Sequence, residues 1–222
     1  MVTRDDSAPG ELYLIADVEA ARQYGVNLVD VVRGFLGAGG RMVSLRGSST
    51  GDRELMDLGR VIAGLVSSVR GLFLVHHRVD LALLLSADGV HLSSQGLGAY
   101  QVRRLMGPSA VVGRSCHSGI DILEHHQEST FLTLGPLFPS LSKEGYGPEM
   151  TLREFKEIAS GLRRLGSTKL YALGGVKPEN TATALLAGAH GIALIGGIVG
   201  APDPGEATGD YLEALRSAER GF

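Results

Sequence analysis

At 222 residues the chain is too long for a disulfide-stapled miniprotein and ample for one α/β barrel, sandwich or open sheet. With 44% hydrophobic and 20% charged residues, wholesale disorder is excluded, and a formal net charge of −3 argues against a dedicated nucleic-acid binder. A single cysteine, Cys116, excludes an intramolecular disulfide and any Cys-rich metal site, which suits a reducing cytoplasm.

Residues 1–10 are polar, lack the apolar stretch of a signal peptide, and read as a flexible N-terminal extension. No apolar run approaches the roughly 18 residues that span a bilayer. The expectation is a soluble, cytoplasmic protein with neither nucleic acid nor membrane as partner. From residue 11 onward, strand and helix patterns alternate. Residues 12–16 (LYLIA) predict a strand, and 27–37 a helix capped by Asn27. Residues 41–46 predict a strand. Residues 52–70 predict a long amphipathic helix with Leu55, Leu58, Ile62, Leu65, Val66 and Val69 on one side. A strand at 72–76 precedes a helix at 79–86. The remaining strand and helix pairs fall at 89–92 and 97–106, 110–114 and 119–127, 131–135 and 151–165, 169–173 and 178–187, and 191–195 and 206–219. Several strands are apolar on both faces, as in a parallel sheet covered on each side. Eight strands and eight helices in strict alternation predict a (β/α)8 TIM barrel, one domain over 11–222. An open doubly wound sheet is the alternative. The long connection 136–150, rich in Gly, Pro and Ser, is of a length that is usually functional.

Barrel sites are built from the loops that follow the strands. At those places stand Arg46; His76, His77 and Arg78; His91 within strand four; Arg114, Ser115, Cys116 and His117; Ser140, Ser142 and Lys143; Gly174 and Gly175; Gly196 and Gly197. This rim is basic and rich in imidazole, although the whole chain is slightly acidic, so an anionic ligand is expected. Paired glycines after two successive strands suit a phosphate held by bare backbone amides. The plainer reading is that they only permit tight turns. His125 and His126 read as a solvated helix face, and His190 as an inert turn residue. Asp80 complements a helix dipole. Cys116 and His117, being consecutive, point different ways and do not make a nucleophilic pair. His76, His77, His91 and His117 have no accompanying carboxylate, which speaks against a metal site. His91 equally suits a hydrogen-bonded residue filling the barrel interior.

The strings HHRVDLAL, ADGVHLSSQ, VGRSCHS, LGPLFPSLSKEGYGP and YALGGVKPENTATALLAGAHGIALIGGI together resemble the thiamine phosphate synthase / thiazole tautomerase (TenI-type) superfamily. The resemblance covers about residues 11–200. It implies a (β/α)8 barrel whose partner is a small phosphorylated thiazole. The synthases of that superfamily need Mg²⁺, and their motifs resemble QLREK, NDRVDLA and HLGQEDL. Here the segments read SLRGSS, HHRVDLA and HLSSQGL. Arg46 is kept, Ser48 stands in the place of a Lys, and His77 and Gly96 stand where the metal carboxylates would be. Mg²⁺ prefers oxygen ligands, so the resemblance points away from synthase activity and from any metal. GRSCHS resembles the tautomerase string GRSVHS, whose His is the acid/base group, which implies His117 as the catalytic residue. The implied activity is a thiazole tautomerase that aromatises a carboxythiazole phosphate and needs no cofactor. By the same resemblance Gly174, Gly175, Gly196 and Gly197 hold the phosphate, Arg46 and Lys143 attract the anionic groups, and His76 lines the pocket. The alternatives are a synthase with an altered Mg²⁺ site, and a non-catalytic protein that binds thiazole phosphate or regulates. Oligomeric state is open, a homodimer included.

Overall fold

The computed structural model describes residues 10–139 and 150–220. Ser140, Ser142 and Lys143 lie outside the described residues, as do residues 1–9 of the N-terminal extension. The chain forms a closed barrel of eight parallel strands arranged in chain order. They are β1 (Leu12–Asp17), β2 (Met42–Arg46), β3 (Leu72–His76), β4 (Gly89–Leu92), β5 (Val111–Cys116), β6 (Phe131–Leu134), β7 (Lys169–Leu173) and β8 (Gly191–Leu194). The helices are α1 (Val18–Tyr24), α2 (Leu28–Gly37), α3 (Asp52–Ser68), α4 (Val79–Leu84), α5 (Ala99–Met106), α6 (Gly119–His125), α7 (Leu152–Leu165), α8 (Pro178–Leu186), α9 (Gly196–Val199) and α10 (Pro204–Arg220). The expected TIM barrel is therefore the observed fold, and the open-sheet alternative falls. Among the described residues no helix is long and apolar enough to cross a membrane.

Two helices depart from the expected count of eight. α1 follows β1 directly. Asp17 caps it, accepting from the Ala20 amide at 2.7 Å, and Gly25 ends it in the left-handed region at φ 68°. α9 is a single turn built on Gly196 and Gly197, residues of low helix propensity, so its packing and not its composition forms it. β5 also runs two residues further than expected, to Cys116.

Alternation along each strand sorts the apolar residues into two layers. Leu12, Leu14 and Ala16 face the helices, with the large outer core. Tyr13 and Ile15 face the barrel axis, with Met42, Leu72, Leu74, Val111, Phe131, Tyr171 and Ala193. The interior is filled by matching large to small. Phe131 lies opposite Gly113 in the register, and a Cβ on Gly113 would sit 2.1 Å from the Phe131 ring. The filled interior closes the barrel below and leaves the C-terminal strand ends as the mouth.

Candidate functional site

Polar side chains enter among the inward positions of β1 to β5. Tyr13, Ser44, His76, His91 and Ser115 form one hydrogen-bonded layer across β1 to β5, buried except for the half-buried Ser115. Tyr13 Oη lies 2.6 Å from Ser44 Oγ, 2.8 Å from His91 Nδ1 and 3.3 Å from His76 Nε2. His91 Nε2 lies 3.0 Å from Ser115 Oγ. The phenol has one proton, which it donates to Ser44. Both imidazole nitrogens facing it must then donate. His91 is thereby the Nδ1–H tautomer, and its Nε2 accepts from Ser115. Every contact is satisfied with both rings neutral. Electrostatics agrees. Burial, then the neighbouring His77, Arg46 and Arg114 charges, push the pKa of His91 down to about 3. Burial, followed by His91, His77 and Arg46, lowers that of His76 as well. The two rings stack with centroids 4.4 Å apart. His91 is thus the hydrogen-bonded interior residue that its position suggested.

Above this layer the strand ends place the expected residues. Arg46 ends β2, and its Nη1 donates to Asp17 Oδ2 at 2.7 Å. His77 follows β3 in the left-handed region at φ 61° and is held there from both sides. Its amide donates to the His91 carbonyl at 3.0 Å, and its Nδ1 accepts from the Ser93 amide at 3.1 Å. His117 directly follows β5 and is exposed. Its amide donates to Asp121 Oδ2 at 2.7 Å, which fixes the turn leading into α6. Its Nδ1 lies 3.0 Å from the carbonyl oxygen of Gly135, just past β6. Cys116 points the other way, into the outer core, where burial pushes its thiol up to about 12.

Gly174 and Gly175 follow β7 and both take positive φ, 92° and 63°. They run against the segment after β6. A Cβ on Gly175 would lie 2.4 Å from the carbonyl oxygens of Phe138 and Pro139. The Phe138 amide donates to the Gly174 carbonyl at 3.1 Å, so β6 and β7 share one rim. Gly196 and Gly197 open α9 after β8, in the first turn where amide donors lack intrahelical acceptors. A Cβ on Gly197 would lie 2.4 Å from Tyr211 Oη. The turn reading of these glycines therefore has a physical basis, and it leaves their amides at the mouth.

The basic rim needs correcting. Arg114 is not on it. It points outward from β5, is 1% exposed, and donates to the carbonyls of Ser93 and Leu97, stapling the loop after β4. Arg78 is paired with Asp52 and Asp80, each at 2.6 Å. Arg46 is paired with Asp17. His126, expected on a solvated face, is buried. The residues overlooked in the sequence are Asp17, Glu19, Tyr13 and Ser44. The signal for the first two was present: an Asp at a strand end, two residues before a Glu, opens a helix.

The sequence pattern described as thiamine monophosphate synthase matches residues 12–198. A Geobacter sulfurreducens protein carrying a provisional thiamine-phosphate synthase name is 38% identical over 205 residues, 92% of this chain and 93% of the relative. A Roseiflexus thiamine-phosphate synthase is 34% identical over 217 residues, 96% of this chain and 88% of its own. Among solved structures, thiamine phosphate pyrophosphorylase from Pyrococcus furiosus superposes with a TM-score of 0.80 at 25% identity, covering 96% of this chain and 98% of that one.

Proposed function

The chain belongs to the thiamine monophosphate synthase family, and from that premise we propose that it is a metal-independent isomerase that aromatises a carboxythiazole phosphate through proton transfer by His117. The observation that carries this reading is the contact of His117 with Gly135. A carbonyl oxygen only accepts, so Nδ1 bears the proton and the Nε2 lone pair is the basic site. Imidazole is the side chain suited to taking and returning a proton near neutral pH. In the reaction a proton leaves the ring carbon that bears the carboxylate, and one arrives at the exocyclic carbon. The released electron pair completes the aromatic ring, so atoms and electrons balance without a co-reactant. The amides of Gly174, Gly175, Gly196 and Gly197 hold the phosphate. Lys143, outside the described residues, draws in the anionic groups, Arg46 being engaged by Asp17, and His76 lines the floor.

Mg²⁺, which synthases of the superfamily use, does not fit the residues present. The corresponding positions are His77 and Gly96. His77 Nδ1 already accepts from Ser93, and Gly96 has no ligand atom in a side chain. Among the described residues no group of three His, Cys, Asp or Glu could hold a metal ion. No step is therefore routed through a metal.

The second reading is thiamine-phosphate synthesis. The relatives' names favour it and do not carry the tautomerase activity. One assay separates the two. The purified protein is given a carboxythiazole phosphate tautomer with EDTA, and separately thiazole phosphate, pyrimidine pyrophosphate and Mg²⁺. Accelerated aromatisation in EDTA that falls about 10²–10⁴-fold in His117→Gln supports the isomerase. Formation of thiamine phosphate, or a His117→Gln variant within about threefold of wild type, overturns it.

A further inference from the structure

The loop after β2 is an anion cup that the chain fills with its own carboxylate. Glu19, in the first turn of α1, accepts four hydrogen bonds from it. The amides of Ser48 and Ser49 donate at 3.1 and 2.9 Å, and the hydroxyls of Ser49 and Thr50 each at 3.0 Å. Consecutive amides converging on one oxyanion are the arrangement that loops offer to phosphate. Partial burial pushes the Glu19 carboxyl up, but the two amides and two hydroxyls outweigh it and hold it down to about 2. It is therefore ionised at any physiological pH. The adjoining Arg46 is neutralised in the same manner by Asp17. Both acids come from the β1 to α1 corner, and Arg22 of that helix pins it to α3 through both carboxylate oxygens of Glu54 at 2.7 Å.

We propose that Glu19 is a specificity-determining residue: it closes an anion subsite on the β2 loop and so restricts the mouth to ligands with a single phosphoryl group, held on the β7 and β8 side. The identification of that first phosphate position rests on the proposed function; the closure of the second does not. A mouth with one open anion position suits a one-substrate rearrangement and disfavours pairing two phosphorylated substrates.

The test is calorimetric titration of inorganic phosphate into wild type, Glu19→Ala and Glu19→Gln. Glu19→Ala is expected to bind one more phosphate than wild type, about tenfold or more tighter than any further site of the wild type. Adding Ser49→Ala, which removes one hydroxyl donor, is expected to weaken that extra site. A Glu19→Ala protein that melts in a single transition yet binds no additional phosphate overturns the proposal. If Glu19→Ala does not fold, Glu19→Gln decides by the same count, because its uncharged carboxamide competes poorly with phosphate for the loop. Wild type that binds no phosphate at all removes the β7 and β8 cradle instead, and the gain in the variant is still read against it.

Discussion

Acid should destabilise this barrel from within, at a pH where its carboxylates are still charged. His91 is neutral in the folded chain with a pKa near 3, whereas in the unfolded chain an imidazole titrates near 6.5. Its folded pKa is the lower one, so the unfolded state binds the extra proton. The stability is complete above about pH 6.5 and is lost as pH falls from there toward 3. At pH 5 the gap is about 1.5 pH units below the unfolded pKa, worth about 2 kcal/mol from His91 alone. His76 adds a loss of the same sign, its pKa being lowered by burial first and by the His91 charge next. For a chain of this size about 2 kcal/mol lowers Tm by about 4–8 °C. The structural cause is specific. Protonating His91 Nε2 turns an acceptor into a donor facing Ser115 and forces the hydroxyl order of the layer to change. Urea unfolding at pH 8 and pH 5 measures the loss. His91→Gln keeps hydrogen-bonding capacity but does not titrate, so its loss between the two pH values should be smaller by about 2 kcal/mol. Equal losses in wild type and His91→Gln would refute the reasoning.

Tyr13→Phe removes the acceptor of two imidazole N–H groups and the donor to Ser44, and is expected to cost about 2–4 kcal/mol in urea unfolding, since each buried group left unpaired costs about 1–3 kcal/mol. Gly175→Ala forces a Cβ into the carbonyls of Phe138 and Pro139 at positive φ; a loss of about 1–3 kcal/mol is expected, with weakened phosphate binding in the same titrations. Arg114→Leu leaves the carbonyls of Ser93 and Leu97 without their staple, so faster amide exchange across 93–98 than in the rest of the barrel is expected.

The strand pattern was readable because alternation and apolar runs depend only on neighbours in sequence. Parity divides Tyr13 and Ile15 from Leu12 and Leu14, but LYLIA is apolar throughout, so which pair faces the axis is settled by the closed barrel. α9 was not readable, because a GGIV turn has no propensity to report and owes its shape to Tyr24 and Tyr211 packed on its glycines. The strand-end residues Arg46, His76, His117 and the two glycine pairs do stand at one end of the barrel, a consequence of parallel strands and not of any motif. What sequence could not give was pairing. Arg114 looks identical to a rim cation until β5, running on to Cys116, places it among the outward positions, in the layer behind the strand.

That difference alters the account of how an anion is held. Counting side chains gives a mouth rich in cations, yet Arg46 and Arg78 already face carboxylates and Arg114 is buried. His76 and His91 are kept neutral by the same burial that fixes their tautomers. With those side chains engaged, a phosphate at the ends of β7 and β8 would meet backbone dipoles, where glycine leaves the N–H groups uncovered. Such a cradle carries no net charge of its own, so its affinity should depend less on ionic strength than that of an arginine cluster. The neutral imidazole floor beneath it fits the same logic: a site that moves protons gains from groups whose protonation is fixed, and with His77 Nδ1 engaged by the Ser93 amide, His117 is the rim imidazole proposed to exchange its proton with the ligand.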